Sequence, residues 1–343
     1  MGDLQTLPKA HLHLHLTGGM RHSTLVDLAA QQGVHLPAGL LEPGSVDLDA
    51  TGLRGWLKFQ RLYDQARNLL VGPVEVCRVV REIVEDQAAV GVRRLELQVD
   101  PASYAPRLGG LQATVELVLD ALATAGRELG VGTGLVIAAN RTRHPGDAET
   151  HARVARRFAG GGVVGFGLSN DETRGDTRDF EKAFRLAREA GLVAVPHAGE
   201  LRGPGSVRLA VERLGAGRVG HGVRAVEDPE LVELLAARQV ACEVNPVSNV
   251  ALGVFKSVAD SPWRELRAAG VPVVIGADDP LVFRAGLLDN YAALEPTDLE
   301  AADLARCSVR ASTAPEQEKA RLLAEVDAWL ASGGSREQPL GAG

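Results

Sequence analysis

The chain has 343 residues, which is long enough for one large domain or two ordinary ones. Hydrophobic residues make up 45% of the chain and aromatic residues only 4%, so the core is built mainly from Leu, Val and Ala, as in parallel α/β proteins. A net charge of −7 without a basic stripe argues against nucleic-acid binding, and no apolar run is long enough to span a membrane.

The first predicted element is a strand over residues 10–16, within the stretch KAHLHLHLTGG. His11, His13 and His15 occupy every second position, so an extended strand places all three on one face. Leucines fill the intervening positions, which argues against an exposed strand and places the imidazoles in a buried interior. Because neutral imidazole is the commonest protein ligand of metal ions, this stretch indicates a metal site.

Seven further short apolar runs predict strands, and helical patterns separate them. The strands are expected at 93–99, 134–139, 162–168, 192–197, 218–221, 240–246 and 271–277. Apolar residues at three- and four-residue spacing predict helices at 74–91, 179–191 and 228–239. Eight alternating units predict a (β/α)8 TIM barrel. The alternative is an open doubly wound sheet, but no G-x-G-x-x-G follows the first strand.

The predicted barrel is a single domain over residues 1–331. About 75 residues separate the first strand from the second, so residues 22–74 are expected to form a helical insertion over the barrel mouth. The final stretch, 332–343, has the composition of a disordered tail.

Four of the predicted strands end in His or Asp, at the end of the barrel where active sites of this fold lie. The residues are His13 and His15 after strand one, His197 and Glu200 after strand five, His221 after strand six, and Asp278 and Asp279 after strand eight. A single residue of this kind is often structural, but together they offer three imidazoles and a carboxylate to one cation. Zinc accepts these ligands and keeps a position open for water; nickel, iron and manganese fit as well.

These residues resemble the adenosine deaminase family of the amidohydrolase superfamily over roughly residues 7–330. The motifs are LPKAHLHLHLTGG, NDE (170–172), HAGE (197–200), RVGHGVRA (218–225), EVNPVSNV (243–250) and GADDP (276–280). The resemblance implies one zinc ion per subunit, with the ligands His13, His15, His197 and Asp278. His11 is then not a ligand, although the strand pattern points it in the same direction.

The resemblance also implies the reaction, which is hydrolytic removal of the 6-amino group of an adenine nucleoside with release of ammonia. The metal makes a bound water reactive near neutral pH. His221 is expected to act as a base and electrostatic stabiliser, and Glu200 to protonate ring nitrogen N1. Asp279 is expected to contact N7, and the backbone near Asn170 to contact N3.

Thr17 departs from the family, whose adenosine enzymes carry Asp or Glu there to bind the ribose 5′-hydroxyl. Either another residue binds that hydroxyl, or the substrate carries a larger 5′ group. Trp56, Phe59 and Arg61 in the insertion suit an aryl carboxylate, although the same helix is typical of a solvated surface. We therefore expect the substrate to be 6-amino-6-deoxyfutalosine, an intermediate of one menaquinone pathway. The alternatives are adenosine or deoxyadenosine, then 5′-methylthioadenosine or adenine.

Two other classes of protein fit the sequence less well. A metal-binding relative without activity has no need of Glu200 or His221, and both are present. A two-metal hydrolase of the superfamily usually needs a carboxylated lysine at the end of strand four, and none stands there. Gln98 and Asn245 also depart from the family pattern, but these two departures do not favour one substrate over another. Three widely spaced cysteines suggest a reduced, cytoplasmic environment, and the oligomeric state is not indicated.

Overall fold

The computed structural model describes residues 2–41 and 53–333. All but the first two residues of the expected tail, and residues 42–52 of the expected insertion, lie outside this part. Eight parallel strands form one sheet in sequence order. They are β1 (Lys9–His15), β2 (Val92–Val99), β3 (Gly132–Asn140), β4 (Val163–Ser169), β5 (Val193–Ala198), β6 (Arg218–His221), β7 (Ala241–Val244) and β8 (Val273–Ile275). Each overlaps a predicted strand, which confirms the (β/α)8 barrel.

The sheet closes just beyond the end of β8. The amide of Asp278 donates to His13 O at 3.1 Å, and the amide of His15 donates to Asp278 O at 3.2 Å. Leu14 and Asp278 also form an isolated parallel bridge. These bonds bring β1 and the segment after β8 together at the C-terminal mouth, where their polar side chains can meet.

Helices follow the strands and cover the outside of the barrel. Those in the described residues are α1 (His22–Gln32), α2 (Ala38–Leu41), α3 (Leu53–Asn68), α4 (Pro73–Ala89), α5 (Leu111–Leu129), α6 (Pro145–Arg157), α7 (Glu181–Arg188), α8 (Pro204–Glu212), α9 (Pro229–Arg238), α10 (Pro246–Ala251), α11 (Trp263–Ala268), α12 (Pro280–Phe283), α13 (Leu287–Ala293), α14 (Asp298–Ala311) and α15 (Glu316–Ala331). Asp228 caps the N-terminus of α9, since its Oδ1 accepts from Leu231 N at 3.1 Å. No helix in 2–41 or 53–333 is long and apolar enough to cross a bilayer.

A register shift in β1 changes which residues face the barrel interior. His11 pairs with Leu95 of β2, whereas Leu14 pairs with Leu97, so three steps along β1 oppose two along β2. Such a bulge interrupts the alternation of side chains at this point. Leu12, which lies within the shifted segment, packs with Ala241 inside the barrel.

The bulge places His11 outside the barrel. Its Nδ1 lies 2.8 Å from Gln87 Oε1 on α4, and its Nε2 accepts from Ala277 N at 3.1 Å. His13, also within the shifted segment, points inward, and its Nδ1 lies 2.9 Å from Glu243 Oε2 on β7. The expectation that all three histidines share one face is therefore wrong, because the bulge lets Leu12 and His13 both point inward.

Candidate active site

Side chains from β1, β5, β6 and the segment after β8 meet at the barrel mouth. His13, His197, His221 and Asp278 each have a potential ligand atom within 4.8 Å of those of the other three. His15 joins them, because its Nε2 lies 3.3 Å from Asp278 Oδ1 and 3.3 Å from His197 Nε2. The structure thus brings together every residue predicted to bind the metal.

The spacing of these atoms fits a metal ion. His13 Nε2 is buried without a hydrogen-bond partner among the described residues and faces Asp278 Oδ1 at 3.5 Å. A tetrahedral zinc ion with bonds of about 2.0–2.1 Å separates its ligand atoms by ~3.4 Å. The separations of His13 from Asp278, of His15 from Asp278 and of His15 from His197 are 3.3–3.5 Å and match that value.

Glu243 fixes the protonation of the His13 ring. Its Oε2 lies 2.9 Å from His13 Nδ1, so the ring donates its Nδ1 hydrogen and leaves the Nε2 lone pair for a metal. The other oxygen, Oε1, accepts from Arg218 Nε at 2.6 Å. Arg218 in turn lies 2.7 Å from Glu96 Oε2, and all three charged residues are buried. A chain of buried charges therefore supports the metal cluster from inside the barrel.

Glu200 and His221 lie beside the cluster. His221 Nε2 is 3.6 Å from Glu200 Oε1, and both side chains are buried. Burial, with Asp278 and Glu172 adding to it, raises the pKa of Glu200 well above its usual range, which suits a proton donor.

Burial also lowers the pKa of His221 to about 3, so this ring is neutral near pH 7. Asn249 Nδ2 lies 3.1 Å from His221 Nδ1 and donates to it. The ring hydrogen then sits on Nε2, which favours the expected role as an electrostatic stabiliser over the role as a base.

The backbone carries unusual conformations at this mouth. Asn170, His221 and Asp278 have φ values of 79°, 64° and 60°, although none is glycine. Such conformations cost free energy and cluster at functional sites. Close packing also constrains this mouth at Gly18, because a Cβ atom at that position would lie 1.8 Å from Asp279 Oδ1. The glycine after Thr17 therefore makes room for the second aspartate.

A cavity with about 710 Å³ of empty space, part of it at its open mouth, lies over the cluster. Of the residues predicted to bind substrate, Trp56, Phe59, Asn170 and Asp279 line it. Thr17 lies behind the wall, where its Oγ1 is 2.6 Å from the hydroxyl of Tyr104, which does line it.

Arg61, which was also predicted to bind substrate, does not line this cavity. It is exposed on α3. Arg67 of the same helix lines the cavity instead, and its guanidinium bonds Asp64 Oδ1 at 2.7 Å and Ser103 Oγ at 3.1 Å. The helical repeat explains the difference, because the cavity face of α3 carries Phe59, Tyr63 and Arg67 at intervals of four.

Several functional residues were missed by sequence reasoning. Glu243 and Arg218 lie in strands. A charged residue inside a buried strand indicates a buried ion pair or hydrogen bond, but the sequence does not show which residue is its partner. Glu172 belongs to the NDE motif, yet its carboxylate is directed at the loop after β5 rather than at the cavity. Gln98 was noted as a departure; its amide is buried at the cavity wall, without a partner in the described residues.

The sequence profile of the adenosine deaminase family matches residues 8–329. A putative adenosine/adenine deaminase of Streptomyces virginiae is 55% identical over 96% of this chain and 98% of its own length. An adenine deaminase of Cupriavidus necator is 34% identical over 96% of this chain and 94% of its own length. The crystal structure of an adenine deaminase from Arthrobacter aurescens superimposes with a TM-score of 0.85, at 33% identity, covering 95% of this chain and 99% of that one.

Proposed function

The chain belongs to the adenosine deaminase family of hydrolytic deaminases, and on that premise we propose that it removes the 6-amino group of an adenine nucleoside extended at its 5′ position. The product carries a 6-oxo group, and ammonia is released. The observation that carries the proposal is that Thr17, whose Oγ1 lies 2.6 Å from the hydroxyl of Tyr104, stands where the family's adenosine enzymes carry Asp or Glu. The candidate substrate is 6-amino-6-deoxyfutalosine, whose 5′ group ends in an aryl carboxylate; its deamination serves menaquinone synthesis.

Zinc is the metal that we propose for the cluster of three imidazoles and one carboxylate, at His13, His15, His197 and Asp278. When bound, it lowers the pKa of a water molecule so that a nucleophile exists near neutral pH. Glu200 holds the proton that N1 of the purine needs as the water attacks C6. His221 donates its Nε2 hydrogen toward the attacking oxygen and so orients it.

Two residues position the purine ring. Asp279 is buried, which raises the pKa of its carboxyl well above the usual range, and its Oδ1 has no hydrogen-bond partner among the described residues. The protonated carboxyl can therefore donate to the acceptor N7. The backbone at Asn170, held in a left-handed conformation, faces N3. With C6 at the ligand cluster, N9 and its substituent would point toward α3 and the end of β2, whose residues line the rest of the cavity.

The cavity wall on that side suits a 5′ extension. Thr17 provides no charge against an anionic group, whereas a carboxylate there would repel one. Arg67 supplies a guanidinium, and Trp56, Phe59 and Tyr63 supply aromatic surface. The amide of Gln98, which has no partner in the described part of the chain, offers both a donor and an acceptor to a polar substituent.

Free adenine is the second candidate, since several relatives are named adenine deaminases. The absence of a carboxylate at Thr17 is also consistent with a substrate that has no ribose. The Gln98 amide on the cavity wall argues against it, because this amide has no hydrogen-bond partner among the described residues and adenine alone would leave it without one.

The test is ammonia release by the zinc-loaded protein with a panel of substrates. The panel contains aminodeoxyfutalosine, adenosine, deoxyadenosine, 5′-methylthioadenosine and adenine, compared by kcat/KM. We expect kcat/KM for aminodeoxyfutalosine to exceed that for each of the others by about 100-fold. One charge-assisted contact and one aromatic contact together account for a preference of this size. Equal or better turnover of adenine or adenosine would refute the 5′ extension.

A further inference from the structure

Glu172 makes an unusual set of hydrogen bonds with the loop after β5. Its Oε1 accepts from the amide of Gly199 at 2.7 Å. Its Oε2 accepts from three successive amides, those of Glu200 at 3.0 Å, Leu201 at 2.7 Å and Arg202 at 2.9 Å. The carboxylate is 1% exposed. One buried side chain thus satisfies the whole backbone turn that carries Glu200.

This turn has no regular structure of its own to hold it. β5 ends at Ala198 and α8 begins at Pro204, so the amides between them lack partners within a strand or helix. Buried amides without acceptors are unfavourable, and converging amides form a concavity that favours an anion. Glu172 is that anion, supplied by the loop after β4.

The surroundings of Glu172 add to its hold on the turn. Arg202 Nη2 donates to Thr173 O at 2.6 Å, which joins the same two loops a second time. Arg141 is buried, donates to the carbonyl of His197 and interacts electrostatically with both Glu172 and Glu200. The position of Glu200 therefore depends on contacts made by the loop after β4, and not on β5 alone.

We propose that Glu172 is a positioning residue for the deamination: its carboxylate fixes the Gly199–Arg202 turn and so aims the Glu200 carboxyl at the purine ring. The inference deepens the proposed function and rests on its assignment of Glu200 as the proton donor. Glu172 does not touch the substrate itself; it acts through the backbone of Glu200. A loosely held turn leaves the donor misplaced, and a displacement of about 1 Å costs roughly 100-fold in rate.

The test uses Glu172→Gln, which keeps the size of the side chain. Amides surround both carboxylate oxygens, so the NH₂ group of glutamine must face at least one N–H donor. We expect kcat to fall about 100-fold, with KM within about threefold and metal content unchanged. We also expect amide hydrogen exchange at residues 199–202 to accelerate about tenfold, measured without substrate. Asp176→Asn serves as the matched control, because this exposed carboxylate lies in the same loop and, among the described residues, accepts hydrogen bonds from Arg178 alone.

A second variant keeps the test decisive if the first does not fold. Glu172→Asp retains the charge and shortens the side chain, so it should retain part of kcat and part of the exchange protection. Unchanged exchange in either variant, or fast exchange with wild-type kcat, would overturn the proposal. If the wild-type protein deaminates no compound of the panel, the proposed function fails. The exchange measurement needs no substrate, so it still tests whether Glu172 holds the turn at residues 199–202.

Discussion

Replacing Glu243 with glutamine should weaken metal binding, although this residue is not a ligand. Two donors surround its carboxylate, His13 Nδ1 at 2.9 Å and Arg218 Nε at 2.6 Å. Glutamine offers one oxygen and one NH₂ group, so one of the two donors must face another donor. If His13 is the one affected, its ring turns into the other tautomer and its Nε2 no longer has a lone pair for the metal.

The expected effect follows from these contacts. Loss of such a supporting partner typically reduces metal affinity 10–100-fold, or about 1.4–2.7 kcal/mol. The variant also leaves Arg218 with one fewer carboxylate, and disrupting a buried ion pair costs about 3–5 kcal/mol of folding stability. Both a lower zinc affinity and a lower melting temperature are therefore expected.

The assay is competition for zinc against a chromophoric chelator, together with thermal unfolding of the zinc-loaded and zinc-free protein. Glu96→Gln is the matched control, because Glu96 lies 2.7 Å from the same Arg218 but does not contact His13. It should lower the melting temperature without changing zinc affinity. If Glu243→Gln binds zinc as tightly as the wild type, or if both variants weaken zinc equally, the role assigned to the His13 contact is wrong.

Three further outcomes are expected. Glu200→Gln should retain zinc, measured by metal analysis, and lose at least ~100-fold in kcat, whereas His197→Ala should lose the metal itself. Arg67→Gln should raise KM for aminodeoxyfutalosine about tenfold and leave KM for adenosine within about threefold, since only the former carries a carboxylate. Lys9→Met should lower the free energy of unfolding in urea by about 3 kcal/mol without changing kcat/KM, because Lys9 Nζ donates to the carbonyls of Leu4, Leu7 and Val90 at 2.6–2.9 Å, away from the cavity.

Local patterns predicted most of the fold. Each of the eight apolar runs forms a strand, and the helices at 74–91 and 228–239 begin and end within two residues of prediction. These features depend on side-chain periodicity and on capping residues, which act between near neighbours in the chain. The metal cluster could be predicted for a related reason: the ends of parallel strands meet at one mouth, whatever the details of packing.

Other features depend on packing and were beyond local reasoning. The bulge in β1 arises from its register with β2, and it moves His11 outside the barrel. Neither pattern nor composition marks a one-residue shift between strands that lie about 80 residues apart. On α3, the choice of Arg67 over Arg61 depends on how the helix rotates against the barrel mouth.

The sequence by itself thus determined the barrel, the family and the residues that can bind a metal and transfer a proton. Only the tertiary structure decided how those residues are held. His13 and Glu243 are 230 positions apart, and Glu172 meets its last amide 30 positions along the chain. The identity of a polar residue states what it can donate or accept, but its partner depends on which loops and strands the fold brings within about 3 Å.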